Sequence, residues 1–85
     1  MDNYKFRRMT GAEFSMALNQ LGLSAGQFRR LTGASPKKVE GWLAGSEDIP
    51  PWVPPFFAMA MVPGGLSAAR REAERLLIPG AVESD

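Results

Sequence analysis

Ser35-Pro36-Lys37-Lys38-Val39-Glu40-Gly41-Trp42-Leu43-Ala44-Gly45 reads as a whole helix with both of its stops written in. Ser35 is a good N-cap, because its side-chain oxygen can accept from a backbone N–H of the first turn. Pro36 follows at the first helical position, where its missing N–H is not needed. Gly45 supplies the left-handed residue that ends such a helix. Between these stops, Val39, Trp42 and Leu43 recur at i, i+3 and i+4 and make one narrow apolar stripe. At about 100° per residue, the opposite side carries Lys37, Gly41 and Ala44, with Lys38 on one flank and Glu40 on the other. A short helix with a cationic start, a lean outer face and a tryptophan-anchored inner face suits insertion into a groove. The groove of DNA is the working expectation.

The same start grammar stands just upstream. Ser24-Ala25-Gly26-Gln27 has capping-box spacing, with Leu23 and Phe28 as the hydrophobic staple around it. Phe28 and Leu31 face inward, and Gly33 closes this helix after little more than two turns. Only Ala34 separates that stop from the Ser35 cap. A turn as tight as Thr32-Gly33-Ala34-Ser35 forces two short helices to cross steeply, which is the helix-turn-helix arrangement. Arg29 and Arg30 lie beside the turn, and the helix start near Gln27 offers N–H groups and a positive dipole end to a phosphate. Further upstream, Thr10-Gly11-Ala12-Glu13 is another capping box, stapled by Met9 and Phe14. Phe14, Ala17, Leu18 and Leu21 then recur at helical spacing up to the stop at Gly22. Ahead of it, Tyr4-Lys5-Phe6-Arg7-Arg8 reads either as a basic arm that reaches phosphates or a minor groove, or as a solvated terminus.

Leu23-Ser24, Phe28, Leu31, Gly33, Ser35, Val39, Trp42 and Gly45 together resemble the Cro/repressor-type (XRE-like) helix-turn-helix proteins. Those read as a Leu-Ser start, a Gly-x-Ser turn, then Val-x-x-Trp-x-x-Gly. The resemblance spans roughly Met9 to Phe57, with Ile49-Pro50-Pro51 looking like that family's lead-in to a fourth helix. It implies a DNA-reading pair formed by the second and third helices. By position it implies Pro36, Lys37 and Gly41 at base edges, and Gln27, Ser35 and Lys38 at phosphates with Arg29 or Arg30 nearby. Two positions depart from the family pattern. Gly41 has no side chain where the family places a hydrogen-bonding reader, and Arg29 replaces a small residue. The glycine is open to three readings: close approach of the helix backbone with Lys37 contacting a guanine, a place for a partner protein's side chain, or a tolerated residue on a solvated face.

Downstream, Ser46-Glu47-Asp48 is a polar linker, and Ile49 to Phe57 holds four of the seven prolines. Proline deep in a helix removes a hydrogen bond and clashes with a preceding carbonyl, so a fourth helix is predicted to start close to Pro54, with Ile49–Val53 an extended strap. Phe56 to Val62 is apolar on every side, which requires burial on more than one side. A second copy of the chain would cover it through Trp52, Phe56, Phe57, Met59 and Met61. Alternatively, Trp52, Phe56 and Met59 complete the monomer core. Pro63-Gly64-Gly65 ends that helix, and Ser67 is expected to cap a fifth. Its inward residues would be Leu66, Ala69, Ala73, Leu76 and Leu77, with Arg70 and Glu74 paired at i, i+4.

The predicted architecture is therefore all-α: a basic arm over 1–9, a five-helix helix-turn-helix domain over 10–78, and a flexible tail over 79–85. Its helices fall near 10–21, 24–32, 35–44, 54–62 and 67–77. Eighty-five residues, 45% hydrophobic and 22% charged, suit one small globular domain. The absence of cysteine and histidine excludes disulfides and leaves no metal site to expect. No apolar run nears the roughly 20 residues that span a bilayer, and a cytoplasmic setting is expected. Net charge is only +1. It is lopsided, with seven cations and two anions from Met1 to Lys38, against three cations and seven anions afterwards. Such asymmetry points to a polyanionic partner.

The expected function is that of a dimeric, sequence-specific DNA-binding transcriptional regulator. Double-stranded DNA is its partner, and no cofactor or catalytic residue is expected. Its DNA-binding residues would be Gln27, Arg29, Arg30, Ser35, Pro36, Lys37, Lys38 and Gly41, with Arg7 and Arg8 from the arm. The competing expectation is a protein-interaction module on the same scaffold, an antagonist of a transcription factor that does not itself bind DNA. Enzymatic chemistry is not expected, because no carboxylate pair, phosphate loop or activated nucleophile is visible.

Overall fold

Polar caps and left-handed glycines set the first half of the chain. The computed structural model describes residues 7–78, so the Tyr4–Phe6 part of the arm and the tail from Pro79 lie outside the described residues. Within them run α1 (Gly11–Leu21), α2 (Ala25–Thr32), α3 (Pro36–Ala44), α4 (Val53–Ala60) and α5 (Gly65–Leu76), with no strand. Thr10 Oγ1 accepts the Glu13 N–H at 3.1 Å while Glu13 Oε1 accepts the Thr10 N–H at 2.9 Å. Ser24 and Gln27 repeat the exchange at 3.1 and 2.8 Å, and Ser35 Oγ accepts the Lys38 N–H at 3.3 Å. Gly22, Gly33 and Gly45 end the three helices at φ 68°, 76° and 79°. There a Cβ would be strained, and the helix C-terminal carbonyls find N–H partners instead.

The core gathers on Phe28, which is fully buried. Its ring stands edge-on to Phe14 at 5.1 Å and to Trp42 at 6.2 Å, and lies roughly parallel to Phe57 at 5.6 Å. Ala17, Leu18, Leu23, Val39, Ile49 and Val53 complete the cluster. Aromatic pairs in these geometries add to plain area burial. α1 packs on α3, α2 on α3 and α5, and α4 on α5. The α1–α3 approach is close enough to require glycine, since a Cβ on Gly11 would lie 2.7 Å from Trp42 O and 2.8 Å from Leu43 O. α3 is thereby held by its Val39–Trp42 side, with its start turned toward α2.

Several expectations need correction. Ile49–Val53 is not an extended strap: Trp52 is helical in backbone (φ −76°, ψ −17°) and the Val53 N–H donates to Pro50 O at 3.1 Å. α4 accommodates Pro54 and Pro55 because they fall in its first turn, where N–H groups have no intrahelical partner. α4 stops at Ala60. Ser67 is not a cap, because α5 starts two residues earlier behind Gly64 (φ 82°). Gly65 is pressed against α4, where a Cβ would collide with the Met59 carbonyl oxygen. Leu76 and Leu77 are exposed rather than inward, as is Leu43 at 39%. The stripe of α5 is half-buried at Leu66, Ala69 and Ala73, and its last turn lies open. Its ion pair joins Arg75 to Glu72 rather than Arg70 to Glu74.

Candidate nucleic-acid interface

The turn between α2 and α3 is laced by side chains. The Thr32 hydroxyl donates to Phe28 O at 2.9 Å and accepts the Ala34 N–H at 3.3 Å. Arg29 Nε donates across the turn to Ala34 O at 3.4 Å. Half-buried Arg29 therefore braces the α2–α3 corner, and its long side chain is accommodated there. Ser35 is half-buried as the cap of α3. The Gln27 carboxamide oxygen accepts the Ser24 N–H at 2.8 Å, at an exposed position.

On α3, Lys37, Lys38 and Glu40 are exposed and Pro36 is half-buried. Gly41 is the main correction. Although it lies away from the apolar stripe, it is buried, because the chain after Gly45 folds back over it. The N–H groups of Ser46 and Glu47 donate to Gly41 O at 2.9 and 3.1 Å. The Glu47 side chain then occupies the space above the helix, where a Cβ on Gly41 would meet its Cγ at 2.8 Å and its Oε2 at 2.9 Å. Lys38 Nζ lies 3.7 Å from Glu47 Oε1. Gly41 thus offers no open backbone to a ligand. From the sequence Glu47 reads as linker, although a glycine within a helix and an acidic residue just past its left-handed stop are both visible there.

The arm cations are also engaged. Arg7 forks onto Glu13 through two hydrogen bonds of 3.1 and 3.0 Å. That guanidinium, aided by the Thr10 N–H, pulls the Glu13 carboxyl down to about 2. Arg8 Nε sits 3.8 Å from Asp48 Oδ2. Arg30 faces a different way, into a cleft of about 300 Å³ between α2 and α5 that Gln27, Leu31, Arg70, Ala73 and Glu74 also line. The structure therefore brings Ser35, Pro36, Lys37 and Lys38 together on the start of α3. Arg29 stands behind the turn, Arg7 and Arg8 pair with Glu13 and Asp48, and Arg30 lines the α2–α5 cleft.

The expected apolar partner surface divides. Phe57 belongs to the core at 3% exposure, and Phe56 is half-buried against it. Trp52 is 45% exposed but stacks on Phe28 at 6.4 Å. Met59 at 73% and Met61 at 44% face solvent, joined by Val62. α4 needs no second copy to bury its other faces, since Val53, Phe57 and Ala60 are covered by the chain itself. Among the described residues, no group of acidic side chains could hold a metal ion, and no helix is long and apolar enough to cross a membrane. No protein-family model, curated protein or solved structure matches the chain.

Proposed function

We propose that the protein is a small DNA-binding regulator of the Cro/repressor-type helix-turn-helix kind, which lays α3 in the major groove. The observation that carries this reading is the α2–α3 corner. Two short capped helices are joined by only three residues, Gly33, Ala34 and Ser35, and the second is pinned inward by Val39 and Trp42 so that Lys37 and Lys38 stand exposed at its start. Lysines there neutralise phosphates and release counterions, while the helix reaches base edges. Ser35, at the cap of α3, and exposed Gln27, at the start of α2, are placed to add neutral hydrogen bonds to the backbone of the duplex.

Two copies would place their α3 helices on half-sites about one turn apart, roughly 34 Å. Met59 of α4 and Met61 just past its end are exposed and available for that contact. The test is a titration of labelled duplex DNA at several salt concentrations. Affinity should fall steeply as salt rises, and Lys38→Ala should weaken binding and flatten the salt slope by about one. Equal, salt-insensitive mobility of all duplexes would reject the reading.

A second reading is favoured by the exposed Met59, Met61 and Val62: a module on this scaffold that binds a transcription factor through an adaptable methionine surface. A stoichiometric co-purifying partner, with no retention on heparin, would select it.

A further inference from the structure

Position 41 lies on the side of α3 away from Val39, yet it brings no side chain of its own. The space it leaves is filled by Glu47, whose Oε2 would stand 2.9 Å from a Cβ at that position. The loop that delivers it is fastened to the helix. Gly41 O accepts the Ser46 and Glu47 N–H groups at 2.9 and 3.1 Å, and the Ser46 hydroxyl at 3.4 Å. Lys38 Nζ, 3.7 Å away, steadies the carboxylate, and the Glu47 side chain remains 45% exposed. The outer face of α3 thus carries a positioned acceptor that comes from outside the helix.

Resting on the reading of α3 as a groove-inserting helix, we infer that Glu47 is a base-contacting residue that accepts a hydrogen bond from the N4 amino group of a cytosine. An ionised carboxylate can only accept. In the major groove, guanine presents the acceptors N7 and O6, thymine presents O4, and adenine sets its N7 acceptor beside its N6 donor. Cytosine alone presents a donor with no acceptor on its own major-groove edge. Lys38 offsets the repulsion between this carboxylate and the phosphates, and Ala44 keeps the adjoining face of the helix low.

The experiment is selection from a randomised duplex library by the full chain, in parallel with Glu47→Ala, Glu47→Gln and Gly41→Ala. Wild type should enrich a motif with an invariant cytosine. Glu47→Ala should lose that one column, keep the others, and bind the wild-type motif about tenfold more weakly. Glu47→Gln keeps the shape of the side chain but gains a donor, so the column should broaden to bases that present acceptors. In Gly41→Ala, Glu47 is intact but displaced by the new Cβ, and the same column should go while thermal melting shows the fold retained. An unchanged motif in Glu47→Ala, with all duplexes bound more tightly, would overturn the inference and make Glu47 a charge brake on Lys38. Failure of wild type to enrich any duplex would instead remove the DNA reading itself, and the inference with it.

Discussion

Glu13 does two jobs with one carboxylate: it closes the capping box of α1 and receives the Arg7 guanidinium. Its carboxyl is lowered from the ordinary 4.5 to about 2, chiefly by the Arg7 hydrogen bonds. A folded pKa below the unfolded one means stability that is present above the unfolded pKa and lost as pH falls through the folded one. The melting-temperature gap between wild type and Glu13→Gln should therefore be widest near neutral pH and close as pH drops from 4.5 toward 2. Both partners are solvent-exposed, so the gap will be small. An unchanging gap across that window would mean that the ion pair contributes nothing. The capping role was legible from Thr10-x-x-Glu13, because its two hydrogen bonds are local. The Arg7 contact was not, since nothing in the spacing distinguishes an arm that reaches outward from one that folds back. Gly41 shows the same division: periodicity gave its side of the helix, and only the path of the following loop decided that it is covered.

Among the elements, α1, α2 and α3 were readable almost to the residue, because Thr10, Ser24 and Ser35 at their starts and three glycines at their stops act through local hydrogen bonds and backbone sterics. The second half was less readable. Prolines exclude a helix interior but not a first turn, so Pro54 and Pro55 did not fix whether Val53 lay inside α4 or before it. Ser67 is a competent cap, and it was displaced by a close approach that no local pattern records: Gly65 against the Met59 carbonyl. That contact makes the α4–α5 hairpin intolerant of any side chain at position 65. Gly65→Ala is expected to destabilise the protein by about 2–3 kcal/mol through forced backbone displacement, lowering Tm by roughly 10–20 °C. Melting followed by circular dichroism checks this. A Tm within a few degrees of wild type would show that the hairpin can open without loss.

At the scale of the whole molecule, the charge asymmetry along the sequence is partly erased by folding. Glu47 and Asp48, from the acidic half, come to rest beside Lys38 and Arg8 of the basic half. Counting along a chain cannot register that, because the loop after α3 reverses direction. What stays outward is a mixed surface at the start of α3 and an apolar one at the end of α4. If the latter joins two copies, light scattering should give twice the monomer mass at micromolar concentration. The double substitution Met59→Glu, Met61→Glu should then return a monomer with little change in melting, since both side chains face solvent. A wild type that stays monomeric at every concentration would sink the dimer. Two indoles bear on both questions. Trp42 is 3% exposed and Trp52 45%, with ring centroids 6.2 Å apart, and the chain has no other tryptophan. The protein therefore carries its own fluorophore pair, one dry and one half wet. Denaturation wets the first and shifts emission to the red, whereas a ligand that dries only the second shifts it to the blue. A single spectrum then separates loss of the fold from occupancy of the Trp52 side.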